Sequence, residues 1–240
     1  MKFDPPSAVE EVEKHVVICI PTITKPLKAC LDSLEASVPL LEKAGWKHST
    51  VHEIGCPYIS HARAQMLRKA LDAKATTIVF IDHDLSWRPE DLLTLVEADG
   101  HVVAGTYRFK REPVEYMGVL MPDINGLPQE RGDGGLRASY VPAGFLKITE
   151  EGVNHFINSY PELLYGVRHT PSIDLFNHGA RDHCWIGEDY AFCRRWTESG
   201  GEIVLMPDLN LDHHDGNTVY AGNYAKYLRQ RPGGDLHVAA

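Results

Sequence analysis

The sequence predicts an α/β protein built around a mostly parallel central sheet. Three observations carry that expectation. Two apolar runs, His15–Ile20 and Ile78–Ile81, hold β-branched and aromatic residues without polar alternation, which suits strands buried on both faces. Segments of helical period alternate with such runs, as in a parallel sheet with crossover helices. Polar residues stand at the carboxyl ends of both strands, Thr22 and Thr24 after the first and Asp82-His83-Asp84 after the second. Open α/β sheets bind ligands at that edge.

In chain order, residues 1–14 hold Pro5-Pro6 and a short acidic run and are expected to form a loose lead-in. The strand His15–Ile20 is closed by Pro21. Leu27, Leu31, Leu34 and Val38 then predict a helix from about Pro26 to Pro39. No G-x-G-x-x-G follows the first strand, so a dinucleotide fingerprint is absent. Trp46–Ile54 is a candidate second strand. Ala62, Met66, Leu67, Ala70 and Leu71 give His61–Ala73 an apolar helical face, with Ser60 as N-cap and Arg63 in the first turn.

Beyond Asp84, Pro89 at N1 with Glu90 and Asp91 predicts a helix over Pro89–Ala98. HVVAG at 101–105 predicts a further strand. From Arg111 the chain turns rich in Gly and Pro, with antiparallel strands expected at Val119–Met121 and Ala138–Val141. Ala143–Ile148 resembles another strand or its approach, Thr149 caps a short helix, and 160–183 is expected to be irregular. Glu188-Asp189 open a helix that runs to about Ser199, with Gly200-Gly201 as its stop. Ile203–Met206 and Leu209–His214 are late strands. The expected organisation is a lead-in at 1–14, one domain over 15–227 with its halves meeting near 110, and a frayed tail at 228–240.

A net charge of −9 argues against a nucleic-acid surface, which needs clustered basic residues. Five scattered cysteines without a C-x-x-C pair fit reduced thiols in a cytoplasmic protein. The first 14 residues lack the apolar region of a signal peptide, and no stretch approaches the ~18 apolar residues of a membrane span. Oligomeric state is not legible.

In an extended chain Asp82 and Asp84 point the same way, so both can face one pocket. Paired hard oxygen ligands suit Mg²⁺ or Mn²⁺ shared with phosphates; the alternative is a strand end capped by polar residues. His213 and His214 are neighbours on a strand, so at most one can join such a site. Glu188 and Asp189 lie where a helix dipole lowers a carboxyl pKa. A base there needs burial or a second carboxylate to offset that effect. The alternative for this pair is simply to charge the helix start.

Taken together, the I-P-T loop, the Arg63 helix, F-I-D-H-D, G-E-D-Y and a late strand with histidines resemble glycosyltransferases of the A-type fold. The likeness runs from about Val16 to Tyr224 and is nearest to small family-2-like viral and bacterial members. It implies a nucleotide-diphospho-sugar transferase sheet with a small antiparallel sheet on the acceptor side. Pro21, Thr22, Thr24, Arg63, Asp82 and His83 would then contact the nucleotide. Asp84 and His214 would hold Mn²⁺ or Mg²⁺, with Asp82 supporting and His213 the alternative imidazole. Asp189 would be the general base and Glu188 an acceptor contact. The implied reaction moves a sugar from a nucleotide-diphosphate donor to a carbohydrate or other hydroxyl acceptor, with inversion. A nucleotidyltransferase, a metal-dependent hydrolase and a non-catalytic binding module of the same fold are the competing readings.

Overall fold

A computed structural model describes residues 13–230. Strand β1, His15–Thr22, is buried along its whole length. Its residues alternate between two cores. Val17 and Cys19 join one, while Val16, Ile18 and Ile20 join the other. That is period-2 geometry in a strand covered on both faces. The strand passes through Pro21 because its pairing with the inner neighbour ends at Cys19, and a proline at a sheet margin forfeits no ladder bond there.

Helix α1, Lys28–Lys43, also passes through a proline, Pro39, instead of stopping there. Leu41, fully buried beyond it, continues the apolar face of Cys30 and Leu34. Strand β2, Lys47–Ile54, is an exposed edge parallel to β1. Helix α2, Ile59–Asp72, has Tyr58 at its N-cap position, so Ser60 lies inside the first turn and does not cap it. Strand β3 is Thr77–Ile81 and the short β4 is Leu85–Ser86. Helix α3 is Pro89–Glu97, and the buried Asp91 carboxylate accepts from the Arg88 amide at its start.

Strand β5, Val102–Ala104, and the edge pair β6, Val119–Leu120, and β7, Leu136–Tyr140, precede β8, Phe145–Thr149. Helix α4, Glu150–Ser159, is capped by Thr149, whose side chain accepts from the Gly152 amide. The span 160–183, expected to be irregular, instead forms the hairpin β9, Leu164–Val167, with β10, Thr170–Ile173. A second hairpin joins β11, Gly179–Arg181, to β12, Cys184–Ile186. Its turn residues Asp182 and His183 both take left-handed backbone, as a two-residue hairpin requires. Helix α5, Glu188–Glu198, strand β13, Ile203–Leu205, the pair β14, Asp212–Asp215, and β15, Thr218–Tyr220, and helix α6, Tyr224–Arg229, complete the described chain. Residues 1–12 of the expected lead-in and 231–240 of the expected tail lie outside the described residues.

The central sheet has eight strands in the order β2-β1-β3-β8-β5-β13-β7-β6. Most strands run one way, but β8 and β7 run against their neighbours, so the sheet is mixed. The strands around 119 and 140 extend this sheet, and the separate small antiparallel sheets are β9–β10, β11–β12 and β15-β14-β4. Helices α1 and α3 cover one face; α2, α4, α5 and α6 cover the other. No described helix is long and apolar enough to cross a membrane. All five cysteines are free, and Cys19, Cys30 and Cys193 are buried.

Candidate active site

Six segments far apart in sequence meet at the carboxyl ends of β1 and β3. They enclose a cavity of about 450 Å³ lined by Pro21, Thr22, Arg63, the run Asp82-His83-Asp84, Tyr107, Glu188-Asp189 and His213, among others. Of the residues expected at the nucleotide, Thr24 is the exception: it is exposed and does not line the cavity. Sequence reasoning missed Cys56, Pro57 and Ile59, which form the wall before and within the first turn of α2.

The floor is a charged network. Arg63 is 3% exposed. One guanidinium nitrogen donates to Glu188 Oε1 at 2.7 Å, and another to Asp82 Oδ1 at 3.0 Å. Burial works against the guanidinium charge, but Asp82 and Glu188 outweigh it and hold the pKa above the ordinary arginine value. Tyr107 donates its hydroxyl to Asp82 Oδ2 at 3.0 Å. Gly144 lets the two meet, since a Cβ there would lie 2.2 Å from the Tyr107 hydroxyl and 2.3 Å from Asp82 Oδ2. Asp82 is thereby committed to positioning. Two buried polar atoms in the wall, Thr22 Oγ1 and Arg63 Nε, have no hydrogen-bond partner among the described residues.

Asp82 and Asp84 do not sit on extended chain. The Leu85 amide donates back to the Asp82 carbonyl, so the motif is a turn, and His83 as well as both acids faces the cavity. The His83 carbonyl accepts from the Leu27 amide and ties the turn to the loop before α1. Asp84 Oδ2 accepts from the Lys110 ammonium and lies 3.5 Å from His213 Nε2. Burial raises the Asp84 pKa, but His213 and Lys110 outweigh it and hold the carboxyl well below the usual carboxylate range.

Strand register decides between the two histidines. β14 pairs antiparallel with β4, with His213 opposite Leu85, which directs the His213 ring into the cavity. His214, the imidazole expected on the metal, turns the other way and meets Ser86 Oγ at 2.8 Å. His213 Nδ1 lies 2.8 Å from the Arg108 carbonyl, which can only accept, so Nδ1 carries a proton. That leaves Nε2 as the ring nitrogen facing Asp84. A histidine whose other nitrogen donates to a carbonyl is the usual arrangement of a metal-binding imidazole.

The described residues contain no cluster of three or more His, Cys, Asp or Glu side chains arranged to hold a metal ion. Asp84 and His213 still fit Mn²⁺ or Mg²⁺, which takes one or two protein ligands and completes its shell with phosphate oxygens and water. Four carboxylates line the cavity, from Asp82, Asp84, Glu188 and Asp189, against the cations Arg63 and Lys110. The surplus of negative charge favours a divalent cation.

Asp189 opens α5, half-buried. Its Oδ2 accepts from the Tyr140 hydroxyl at 2.8 Å and its Oδ1 from the Tyr190 amide at 2.7 Å. Burial and then the Glu188 charge raise its pKa, and the hydrogen bonds and Arg63 offset this in part. Both effects needed to counter the helix dipole are thus present. Glu188 differs: Arg63 engages its Oε1. Trp185, 72% exposed on the β11–β12 hairpin, stands beside the His178 ring, and neither residue lines the cavity.

No protein-family model matches the sequence, and no curated protein sequence matches it. Solved structures do resemble the fold. The catalytic domain of Drosophila β1,4-galactosyltransferase 7 in complex with xylobiose is 11% identical, matches over 88% of this chain and 70% of that one, and gives a TM-score of 0.48. GalNAc-T7 with UDP, GalNAc and Mn²⁺ is 14% identical over 85% of this chain and 44% of that one, at 0.44. The inositol-1-phosphate CTP transferase of T. maritima is 7% identical over 86% and 91%, at 0.41. At these identities and scores the likeness is one of fold and assigns no family, donor or acceptor.

Proposed function

We propose that this protein is a metal-dependent glycosyltransferase that moves a sugar from a nucleotide diphosphate to an acceptor hydroxyl with inversion. The observation that supports it most is the convergence of Thr22, Arg63, the Asp82–Asp84 turn, Glu188-Asp189 and His213 on one acidic cavity. The two unpartnered atoms, Thr22 Oγ1 and Arg63 Nε, add to it. A buried polar group without a partner costs about 1–3 kcal/mol, which a bound nucleotide would remove.

In this reading Thr22 and Arg63 hold the nucleotide, and Asp84 with His213 holds Mn²⁺ or Mg²⁺. The cation, when bound, neutralises charge developing on the departing diphosphate. Asp82 fixes Arg63 from one side and Glu188 from the other, so the guanidinium is preorganised. Asp189 takes the proton of the acceptor hydroxyl. Each of its oxygens keeps a second lone pair, and its raised pKa makes it a stronger base than an ordinary carboxylate. The acceptor oxygen forms its bond to the anomeric carbon as the bond to the diphosphate oxygen breaks and its electron pair leaves with the diphosphate.

Thermal unfolding with a panel of nucleoside diphosphates, each with and without Mn²⁺, tests the reading. A ligand at a hundred times its Kd stabilises by about 2.7 kcal/mol. That raises Tm by roughly 5–11 °C for a chain of this size. A rise that needs both nucleotide and cation is expected, and no rise with any pair refutes the proposal.

A further inference from the structure

The segment after β5 carries four basic residues, Arg108, Lys110 and Arg111 near its start and Arg131 further on. Arg108 pairs with Glu112, Arg111 with Glu115, and Arg131 with Asp99. Each of these pairs lies outside the cavity. Lys110 instead extends its stem inward and places its ammonium on Asp84 Oδ2, the same oxygen that His213 Nε2 faces at 3.5 Å. A divalent cation shared by Asp84 and His213 must therefore meet a positive charge already seated on its oxygen ligand. The two cations cannot occupy one carboxylate oxygen at contact distance without strong repulsion.

We infer that Lys110 is a resident counter-ion of Asp84 that a divalent cation displaces, and that the freed ammonium then pairs with the donor diphosphate. The inference rests on the nucleotide reading for its second half only. Charge supports both halves. Without a cation, Lys110 offsets part of the negative surplus set by four carboxylates. With a cation on Asp84, that role lapses. A diphosphate then brings new negative charge within reach of a long, flexible and strongly hydrated side chain that is 29% exposed and already touches a cavity carboxylate. Lys110 is in this account a positioning residue for metal and a direct ligand for diphosphate.

Calorimetric titration of Mn²⁺ alone into the full chain and into Lys110→Met tests the first half. Removing the competing ammonium is expected to tighten Mn²⁺ at least tenfold, while Lys110→Arg stays close to the parent. Unchanged or weaker Mn²⁺ binding in Lys110→Met overturns the inference, as does an absence of Mn²⁺ binding in both proteins. Titration of uridine or guanosine diphosphate at saturating Mn²⁺ tests the second half. Lys110→Met is expected to bind about tenfold more weakly, and equal affinity overturns that half. Failure of the parent protein to bind any nucleoside diphosphate counts against the nucleotide reading and the second half together. The Mn²⁺ titration still decides the first. Equal urea midpoints establish that the variant retains its fold.

Discussion

Replacing Arg63 with Met should destabilise the protein by about 3 kcal/mol, and the figure follows from how its partners are buried. Arg63 is 3% exposed and bridges two carboxylates, Asp82 and Glu188, whose side chains keep 27% and 26% of their exposure. Removing one partner of a fully buried ion pair costs about 3–5 kcal/mol because the remaining charge is stranded. Here water reaches the outer faces of both acids, and Asp82 keeps the Tyr107 hydroxyl, so the lower end applies. Methionine preserves most of the aliphatic packing but loses the guanidinium above the Phe176 ring, 5.2 Å away. That contact is worth roughly 0.5–1 kcal/mol. Urea unfolding measures the loss, and the companion fall in Tm is roughly 6–12 °C. Arg63→Lys should recover less than half, because one ammonium cannot span both acids as the planar fork does. Adding Asp82→Asn to Arg63→Met should restore stability by removing a stranded charge. A loss below about 1 kcal/mol in Arg63→Met, or a further loss on adding Asp82→Asn, refutes the assignment of this network as the floor of the cavity.

Three other perturbations test separate parts. Tyr140→Phe removes a hydrogen bond that lowers the Asp189 pKa, so the acid limb of the pH–rate profile should move to higher pH; a limb that stays in place separates Asp189 from proton transfer. Gly144→Ala forces a Cβ against Asp82, which Arg63 pins, and should cost about 1–3 kcal/mol in unfolding experiments while weakening nucleotide binding. Lys147, in the middle of β8, is 4% exposed and hydrogen-bonds the Val96 and Ala98 carbonyls at the end of α3. Burial lowers its pKa to about 8 from 10.5, so the unfolded chain binds more protons between those values and stability rises with pH there. The stability difference between wild type and Lys147→Met should therefore grow by about 3 kcal/mol from pH 8 to pH 10.5, and a flat difference contradicts the burial of a neutralisable amine.

The strands β1 and β3 were legible because both faces are covered, which leaves continuous apolar runs. The same logic hid the direction of β8. Phe145–Ile148 is buried on both sides like a parallel strand, and its antiparallel insertion between β3 and β5 is fixed by tertiary pairing alone. Local propensity predicts a helix end at Pro39, yet the fully buried Leu41 anchors the continuation. The hairpins over 164–186 are mostly exposed and carry no apolar alternation to read. At the site, Asp82, Asp84, Arg63 and Asp189 stood out as polar groups at strand and helix ends. The choice between His213 and His214 depends on register with β4, which the two-residue β4 gives no pattern to predict. Tyr107 and Lys110 had one usable signal, their place just past the carboxyl end of β5, the same edge as the Asp82–Asp84 turn.

In the proposed function Asp84 supports binding of a nucleoside diphosphate through a divalent cation. Calorimetric titration of uridine or guanosine diphosphate into wild type and Asp84→Asn, with Mn²⁺ and with a chelator, tests it directly. Wild type is expected to bind only with Mn²⁺, and Asp84→Asn, folded to the same extent by urea midpoint, is expected to lose the Mn²⁺-dependent part. Binding of equal strength in Asp84→Asn, or in wild type with the chelator, contradicts it.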